Sequence, residues 1–204
     1  MAMKKYFINT LAALWVLTTA GLMAACTSSD DNPVSSTTAD VNKGIVIDLG
    51  SIVIKPFLQF GASSADVEKY VNEYYPGWTL VNPEGPIYEK MDDIDYWAKY
   101  YDKDDNAYLV FYFLDPAATN LAISCYKYVT TIPVEAVRKE YERNNFTYMG
   151  ILEYPNDRYD TTYMYLSADK SIEAQVTGYV KEKGWLVSFQ PKSETDLNNL
   201  KPEI

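Results

Sequence analysis

The sequence predicts an α+β fold made of two tandem helix-plus-antiparallel-strand repeats, with the helices packed on one face of the sheet. Three observations predict it. Two charged helical stretches, SADVEKYVNEYYPGW (64–78) and PVEAVRKEYERNNF (133–146), resemble each other in their initiating residue, their charge and their aromatic ending. Strand-rich sequence follows each helix, and FYFLDPAATNLAIS (111–124) matches YMYLSADKSIEAQV (163–176) as aromatic-x-aromatic-Leu, a polar turn and an alternating strand. The turns between strands are short, which requires antiparallel pairing.

The chain opens MAMKKYF, with two lysines and no acid, and runs almost wholly apolar to Ala25. These are the charged and apolar regions of a secretory signal, residues 1–25. The run is as long as the ~20 residues of a membrane span, but it closes on small residues before a polar stretch. Met23-Ala24-Ala25-Cys26 resembles the lipobox of bacterial lipoproteins, in which the cysteine is acylated and becomes the new N-terminus. The resemblance implies lipidation at Cys26. Residues 26–43 contain TSSDDNPVSSTTAD, which buries too little apolar surface to offset its ordering entropy and reads as a disordered acidic Ser/Thr tether. Ser29-Asp30-Asp31 resembles the short acidic signal that sends some lipoproteins to the outside of the outer membrane. Outer-membrane anchoring facing the cell exterior is expected, with the periplasmic face as the alternative.

The first repeat is expected over 44–130. Its helix starts at a Ser63 or Ser64 cap, with Asp66 and Glu68 in the first turn favoured by the helix dipole. Val67, Tyr70, Val71 and Tyr74 share one face, and Pro76-Gly77 stops the helix. PIYEKMDDIDYWAKYYDKDDN must supply one or two extra strands, and its acidic segment 91–105 is either a loop or an edge strand. A hairpin 107–114/120–129 follows. The second repeat, 131–192, starts its helix at Pro133, buries Val134, Val137 and Tyr141, and ends at Asn144-Asn145. A hairpin 159–166/171–180 and a last strand Trp185 to Gln190 complete it, before a polar tail over 193–204.

Phe60-Gly61-Ala62-Ser63 followed by Asp66-Val67 resembles the Gly-x-Ser/Thr-x-x-x-Val helix start of SmpA/OmlA-type outer-membrane lipoproteins. The tandem arrangement is similar to β-lactamase inhibitor protein, the BLIP-like fold, across about residues 45–190. The resemblance implies a non-enzymatic module that presents a concave sheet face to a protein partner and carries no catalytic residues.

Period-2 alternation assigns the faces. Leu109, Phe111 and Phe113, joined by Leu121, Ile123 and Cys125, are expected against the helices, with Tyr108, Tyr112, Tyr126 and Tyr128 opposite. In the second hairpin Tyr163 and Tyr165 are expected to face the helices, and Thr177 and Tyr179 the open side. Tyr108, Tyr112, Tyr126, Tyr128 and Tyr179 therefore form the candidate binding face. Tyrosine is enriched at interface hot spots, and flat rings also stack on sugars.

Composition narrows the chemistry. The chain has no histidine, which removes Ser-His-Asp and Cys-His catalysis and His-containing zinc sites. Of its two cysteines, Cys125 lies in LAISCYKYV and reads as a buried strand thiol without an intrachain partner. Asp102-Lys103-Asp104-Asp105-Asn106 begins like a calcium loop, but Ala107 and Phe113 stand where glycine and glutamate are needed, so it reads as a hairpin turn. Asp92, Asp93 and Asp95 do not single out a glycosidase pair, and Ser63 lacks the G-x-S-x-G elbow. Neither a metal site nor a cofactor is expected. Removing residues 1–25 takes away Lys4 and Lys5 and leaves 16 basic against 28 acidic residues, a net charge of −12. That charge repels phosphate backbones, so nucleic acid is not expected, and membrane contact is expected through the N-terminal lipid only. The expected function is a lipid-anchored, non-enzymatic binding module for a protein partner. The alternatives are a carbohydrate-capture lipoprotein and a structural or assembly subunit of an envelope complex.

Overall fold

The computed structural model describes residues 43–91, 94–104, 106–152, 161–179 and 183–192. Cys26, the signal peptide, the tether up to residue 42 and the tail 193–204 lie outside the described residues. Among the described residues, eleven strands and two helices follow in the order β1 (Ile47–Asp48), β2 (Val53–Ile54), α1 (Ser64–Tyr74), β3 (Thr79–Leu80), β4 (Ile87–Met91), β5 (Ile94–Asp104), β6 (Ala107–Phe113), β7 (Leu121–Val129), α2 (Val134–Arg143), β8 (Thr147–Leu152), β9 (Thr162–Leu166), β10 (Ile172–Tyr179) and β11 (Gly184–Pro191).

The expected α+β class of two tandem repeats is corrected here. The fold is mostly antiparallel β-sheet, and its helices contribute only 11 and 10 residues. The strands do not divide into one sheet per repeat. They form a single nine-stranded sheet ordered β3-β5-β6-β7-β11-β10-β9-β8, with β4 paired to β5 and β1–β2 as a separate hairpin. The physical reason is the length of the strands. PIYEKMDDIDYWAKYYDKDD supplies two of them, β4 and the 11-residue β5, so the first half has strands with no counterpart in the second. β7 pairs with β11 along Val129↔Gly184 to Ser124↔Phe189, which fuses the two halves through their backbones.

α1 forms because its N-terminus is capped. Ser63 Oγ accepts from the Asp66 N–H at 3.3 Å, and Asp66 Oδ2 accepts from the Ser63 N–H at 3.0 Å. That reciprocal pair satisfies two of the donors a helix start leaves open. Val67, Tyr70 and Val71 are buried. α2 has Pro133 at its N-cap without a side-chain hydrogen bond, and it buries Val137, Glu140 and Tyr141. Its C-terminal Asn144 holds the segment before β1 in place, with Nδ2 donating to Val46 O at 2.7 Å and Oδ1 accepting from Val46 N–H at 3.1 Å.

Both helices and the β1–β2 hairpin bury their apolar residues in one cluster. It includes Ile47, Ile54, Val67, Tyr70, Val137, Tyr141, Phe111, Tyr126, Trp185 and Phe189. A second cluster lies on the other side of the sheet, and its buried members come from strands alone: Met91, Tyr96, Ala98, Tyr100, Val110, Tyr112, Ile123, Cys125 and Leu186. Between the halves, Gly184 adopts φ +154°, and a Cβ there would stand 2.1 Å from the Tyr128 carbonyl oxygen. Only glycine lets β11 approach β7 this closely.

Candidate functional site

The sheet face turned away from the helices holds the residues whose chemistry the core does not require. Strand alternation sets its membership. On β4 it presents Ile87, Glu89 and Met91, and on β5 Tyr96, Ala98 and Tyr100. β6 adds Tyr108, Val110 and Tyr112, and β7 adds Ile123, Cys125 and Lys127. β10 contributes Glu173, Gln175, Thr177 and Tyr179, and β11 Leu186, Ser188 and Gln190. One half is therefore aromatic and apolar, and the other is a track of amides, a carboxylate and hydroxyls.

The polar track is closely bonded. Gln190 Nε2 donates to Glu173 Oε2 at 2.8 Å, and the hydroxyls of Thr162 and Thr177 meet at 2.7 Å. Glu173, Gln175, Thr177, Ser188 and Gln190 are all buried. Among the described residues, Gln175 Oε1 accepts no hydrogen bond. At the boundary with the aromatic half, the Lys127 ammonium lies 4.9 Å from the centre of the Tyr179 ring, a favourable cation–π geometry.

The aromatic half surrounds one acid. The Glu89 carboxylate accepts from the Tyr100 hydroxyl on one oxygen and from the Tyr112 hydroxyl on the other, the latter at 3.4 Å. Burial pushes the Glu89 carboxyl up to about 7, against the Tyr112 hydrogen bond, which pulls it down. Burial also raises the Tyr112 hydroxyl well above its ordinary value, and the Cys125 thiol likewise, with the nearby Glu89 charge adding to both. A thiol held neutral in this way is not a nucleophile. No group of three or more Cys, Asp or Glu side chains among the described residues is placed to hold a metal ion. Between β5 and β6, Asp104 Oδ1 accepts from the Asn106 N–H at 2.9 Å, while Asp105 lies outside the described residues.

The five tyrosines read from the sequence divide between the two faces. Tyr108, Tyr112 and Tyr179 lie on the face away from the helices, with Tyr112 only 1% exposed and the other two half-buried. Tyr126 and Tyr128 do not lie there. They are 0% and 9% exposed and belong to the helix-side cluster, which corrects both their expected side and the expected exposure. The reason is a β-bulge. Tyr112 pairs with Ile123 and Phe113 with Leu121, so Ala122 is an extra residue and the alternation of β7 slips by one. Leu121 stays with the helices, but Ile123 and Cys125 move to the opposite face, and Tyr126 and Tyr128 turn inward. The second hairpin has no bulge between β9 and β10. Tyr165 and Tyr163 face the helices there, and Thr177 and Tyr179 the other side.

The sequence reading missed Glu89, Tyr96, Tyr100, Glu173, Gln175 and Gln190. A signal for some of them exists: in IYEKM an acid stands between Ile87 and Met91 on one period-2 face, and in SIEAQVTGY an acid and an amide alternate with Ile172, Ala174 and Val176. Polar groups at every second position of a strand mark a face with chemistry of its own.

A separate cleft of about 500 Å³ opens at the start of α2, lined by Thr131, Pro133, Glu135, Tyr163, Gly178 and Lys183 among others. Arg138 lies beyond it, with its guanidinium 3.9 Å from the centre of the Tyr163 ring and its Nε donating to the Tyr165 hydroxyl at 3.0 Å. The most exposed aromatic pair described, Tyr88 with Trp97, has its ring planes at 62°. This is not the flat platform on which a sugar ring stacks. The chain matches no protein-family model, no curated protein and no solved structure, so the likeness to BLIP-like lipoproteins rests on sequence features alone.

Proposed function

We propose that this chain is a lipid-anchored outer-membrane protein, displayed on the cell exterior, that binds a protein partner and catalyses no reaction. The observation that carries the binding reading is the composition of the face away from the helices. Tyr108 and Tyr179 are the half-exposed tyrosines on it, buried Tyr112 stands in its aromatic half, and Glu173, Gln175 and Gln190 form a buried polar track in the other half, while all the described helical packing is on the other side. Tyrosine beside amides is the chemistry of recognition surfaces, because the ring gives contact area at low entropic cost and the amide both donates and accepts. The anchoring reading rests on Met23-Ala24-Ala25-Cys26 and the polar acidic stretch after it.

Photo-crosslinking in intact cells tests the binding reading. A photoreactive residue placed at Tyr108 or Tyr179 is expected to give a discrete adduct with a protein. The same residue at Glu73, which is exposed on α1, is expected to give none. Adducts at Glu73 alone, or at no position, would remove this face as the binding surface. Cys26→Ser tests the anchor. The variant is expected to leave the membrane fraction or to stay unprocessed, and normal anchoring would refute the lipidation site.

A further inference from the structure

We propose that the end of the sheet at which the tether joins the domain is a lipid-contacting surface, with Tyr88, Trp97 and Leu114 seated against the headgroup region of the membrane that holds Cys26. The inference rests on the lipid anchor proposed above and adds the orientation of the domain on that anchor. Strand register places the groups. Tyr88 pairs with Trp97, Trp97 with Phe113 and Phe113 with Leu121, so one row crosses β4, β5, β6 and β7 where β6 ends and β7 begins. Leu114 follows that row directly. β11 runs antiparallel to β7 and ends on the same side, since Phe189 pairs with Ser124. There the Lys192 N–H donates to the Ser171 carbonyl at 2.9 Å, and the Lys43 ammonium donates to the Ser171 hydroxyl at 3.1 Å. Lys43 is the first described residue. The tether therefore enters at the end of the sheet that carries Tyr88, Trp97 and Leu114.

The exposure of these side chains suits an interface. Tyr88 at 55% and Leu114 at 46% are the two most exposed of the large apolar side chains described. The half-buried Trp97 ring lies 5.8 Å from the Tyr88 ring, centre to centre. The Tyr88 hydroxyl donates to Asp95 at 2.8 Å, so an apolar body carries a satisfied polar tip. Rings of this kind collect where lipid meets water. The acids at this end serve the chain's own turns. Asp115 accepts from the Thr119 N–H at 2.9 Å and Asp169 from the Ser171 N–H at 3.0 Å, and Lys43 pairs with Asp169 at 3.4 Å. The rings and Leu114 therefore make the contact. A net charge of −12 after residue 25 repels anionic headgroups, so the surface fits a lipid face without net charge.

The tether length decides which end meets the lipid. A flexible chain of residues 26–42 has a root-mean-square span of about 23 Å, and the length of β7 carries the far end of the sheet about 30 Å further. Three side chains are too few to hold a protein on lipid from solution. On a tether the same contact is intramolecular, at an effective concentration in roughly the millimolar range. The resulting orientation turns the far end outward. Tyr108 and Tyr179 lie there, in register with Lys127 and Gly184.

Fluorescence of the full lipidated chain in phosphatidylcholine vesicles tests this. Tyr88→Cys and Leu114→Cys each carry an environment-sensitive fluorophore, and Val129→Cys, 38% exposed at the far end, is the control. Cys125 is fully buried and stays unlabelled. Each labelled chain is first shown to keep the wild-type melting temperature, and two positions guard against one that misfolds. The probes at 88 and 114 are expected to shift to the blue and to be quenched by lipid spin-labelled near the headgroup. The probe at 129 is expected to do neither. Flotation with the vesicles reads the anchor separately. A chain that floats with all three probes alike, quenched or not, refutes the oriented contact and leaves the anchor standing. A chain that does not float refutes the anchor, and the contact falls with it.

Discussion

The Tyr126 hydroxyl sits where helix, loop and strand converge. It accepts from the Phe57 N–H at 2.7 Å and lies 3.2 Å from the Tyr70 hydroxyl, which in turn donates to the Lys55 carbonyl. Tyr75 closes the group by accepting from the Lys55 N–H at 3.0 Å. Three phenols thus satisfy the irregular segment before α1, where no strand partner does so. Tyr126→Phe leaves the buried Phe57 N–H without its acceptor and is expected to cost about 1–3 kcal/mol. Tyr126→Ala also loses the ring and is expected to cost about 3–5 kcal/mol. Urea unfolding checks both, as a lower midpoint at unchanged slope. An unchanged midpoint for Tyr126→Ala would mean that the ring is not core. Gly184→Ala forces a methyl against the Tyr128 carbonyl in a backbone conformation with positive φ, and a loss of about 1–3 kcal/mol is expected by the same assay. Neither role was legible in the sequence. The inward turn of Tyr126 depends on one inserted residue, Ala122, and alanine carries no bulge signature. Cys125 was legible as a buried strand thiol, because its neighbours on LAISCYKYV are apolar at the right period.

Among the elements, α1 shows how far local chemistry predicts local structure. The cap at Ser63, the buried Val67, Tyr70 and Val71, and the stop after Tyr74 were all readable, because capping and periodicity act within a few residues. Ser63→Ala is expected to destabilise the protein by about 0.5–2 kcal/mol, read as a lower melting temperature. The effect should shrink in acid. The Ser63 hydrogen bonds hold the Asp66 carboxyl below its ordinary range, so its contribution is present above about 3.8 and is lost as pH falls further. The hairpins β6–β7 and β9–β10 were also legible to within a few residues, since polar turns separate their alternating strands. The attachment of β4 was not. Sequence supplied the acid at position 89, but its hydroxyl partners lie 11 and 23 residues further along the chain.

At the scale of the whole molecule, the two halves seen in the sequence are real as stretches of chain, but they are not separate structural units. The similarity between 111–124 and 163–176 reports two hairpins of similar design. It says nothing about how those hairpins dock, and the β7–β11 pairing that merges them joins residues far apart in sequence. Two short helices suggested a helical layer, yet the long strands dominate the fold. With Cys125 fully buried, a thiol reagent is expected to leave it unmodified in the native protein and to label it on denaturation. Labelling at equal rates in both states would show that the second cluster is open to solvent.

The central position of β11 also governs the order in which the molecule can be assembled. The last described strand of the chain is the one between β7 and β10. While the chain is being synthesised, Leu121–Val129 is therefore an unsatisfied edge, rich in aromatic and β-branched residues, until Gly184–Pro191 has arrived. Such an edge is a template for pairing with other chains. Almost the whole chain must be present before the sheet can close, so a chain truncated before Gly184 is expected to aggregate rather than fold as a smaller version of the protein.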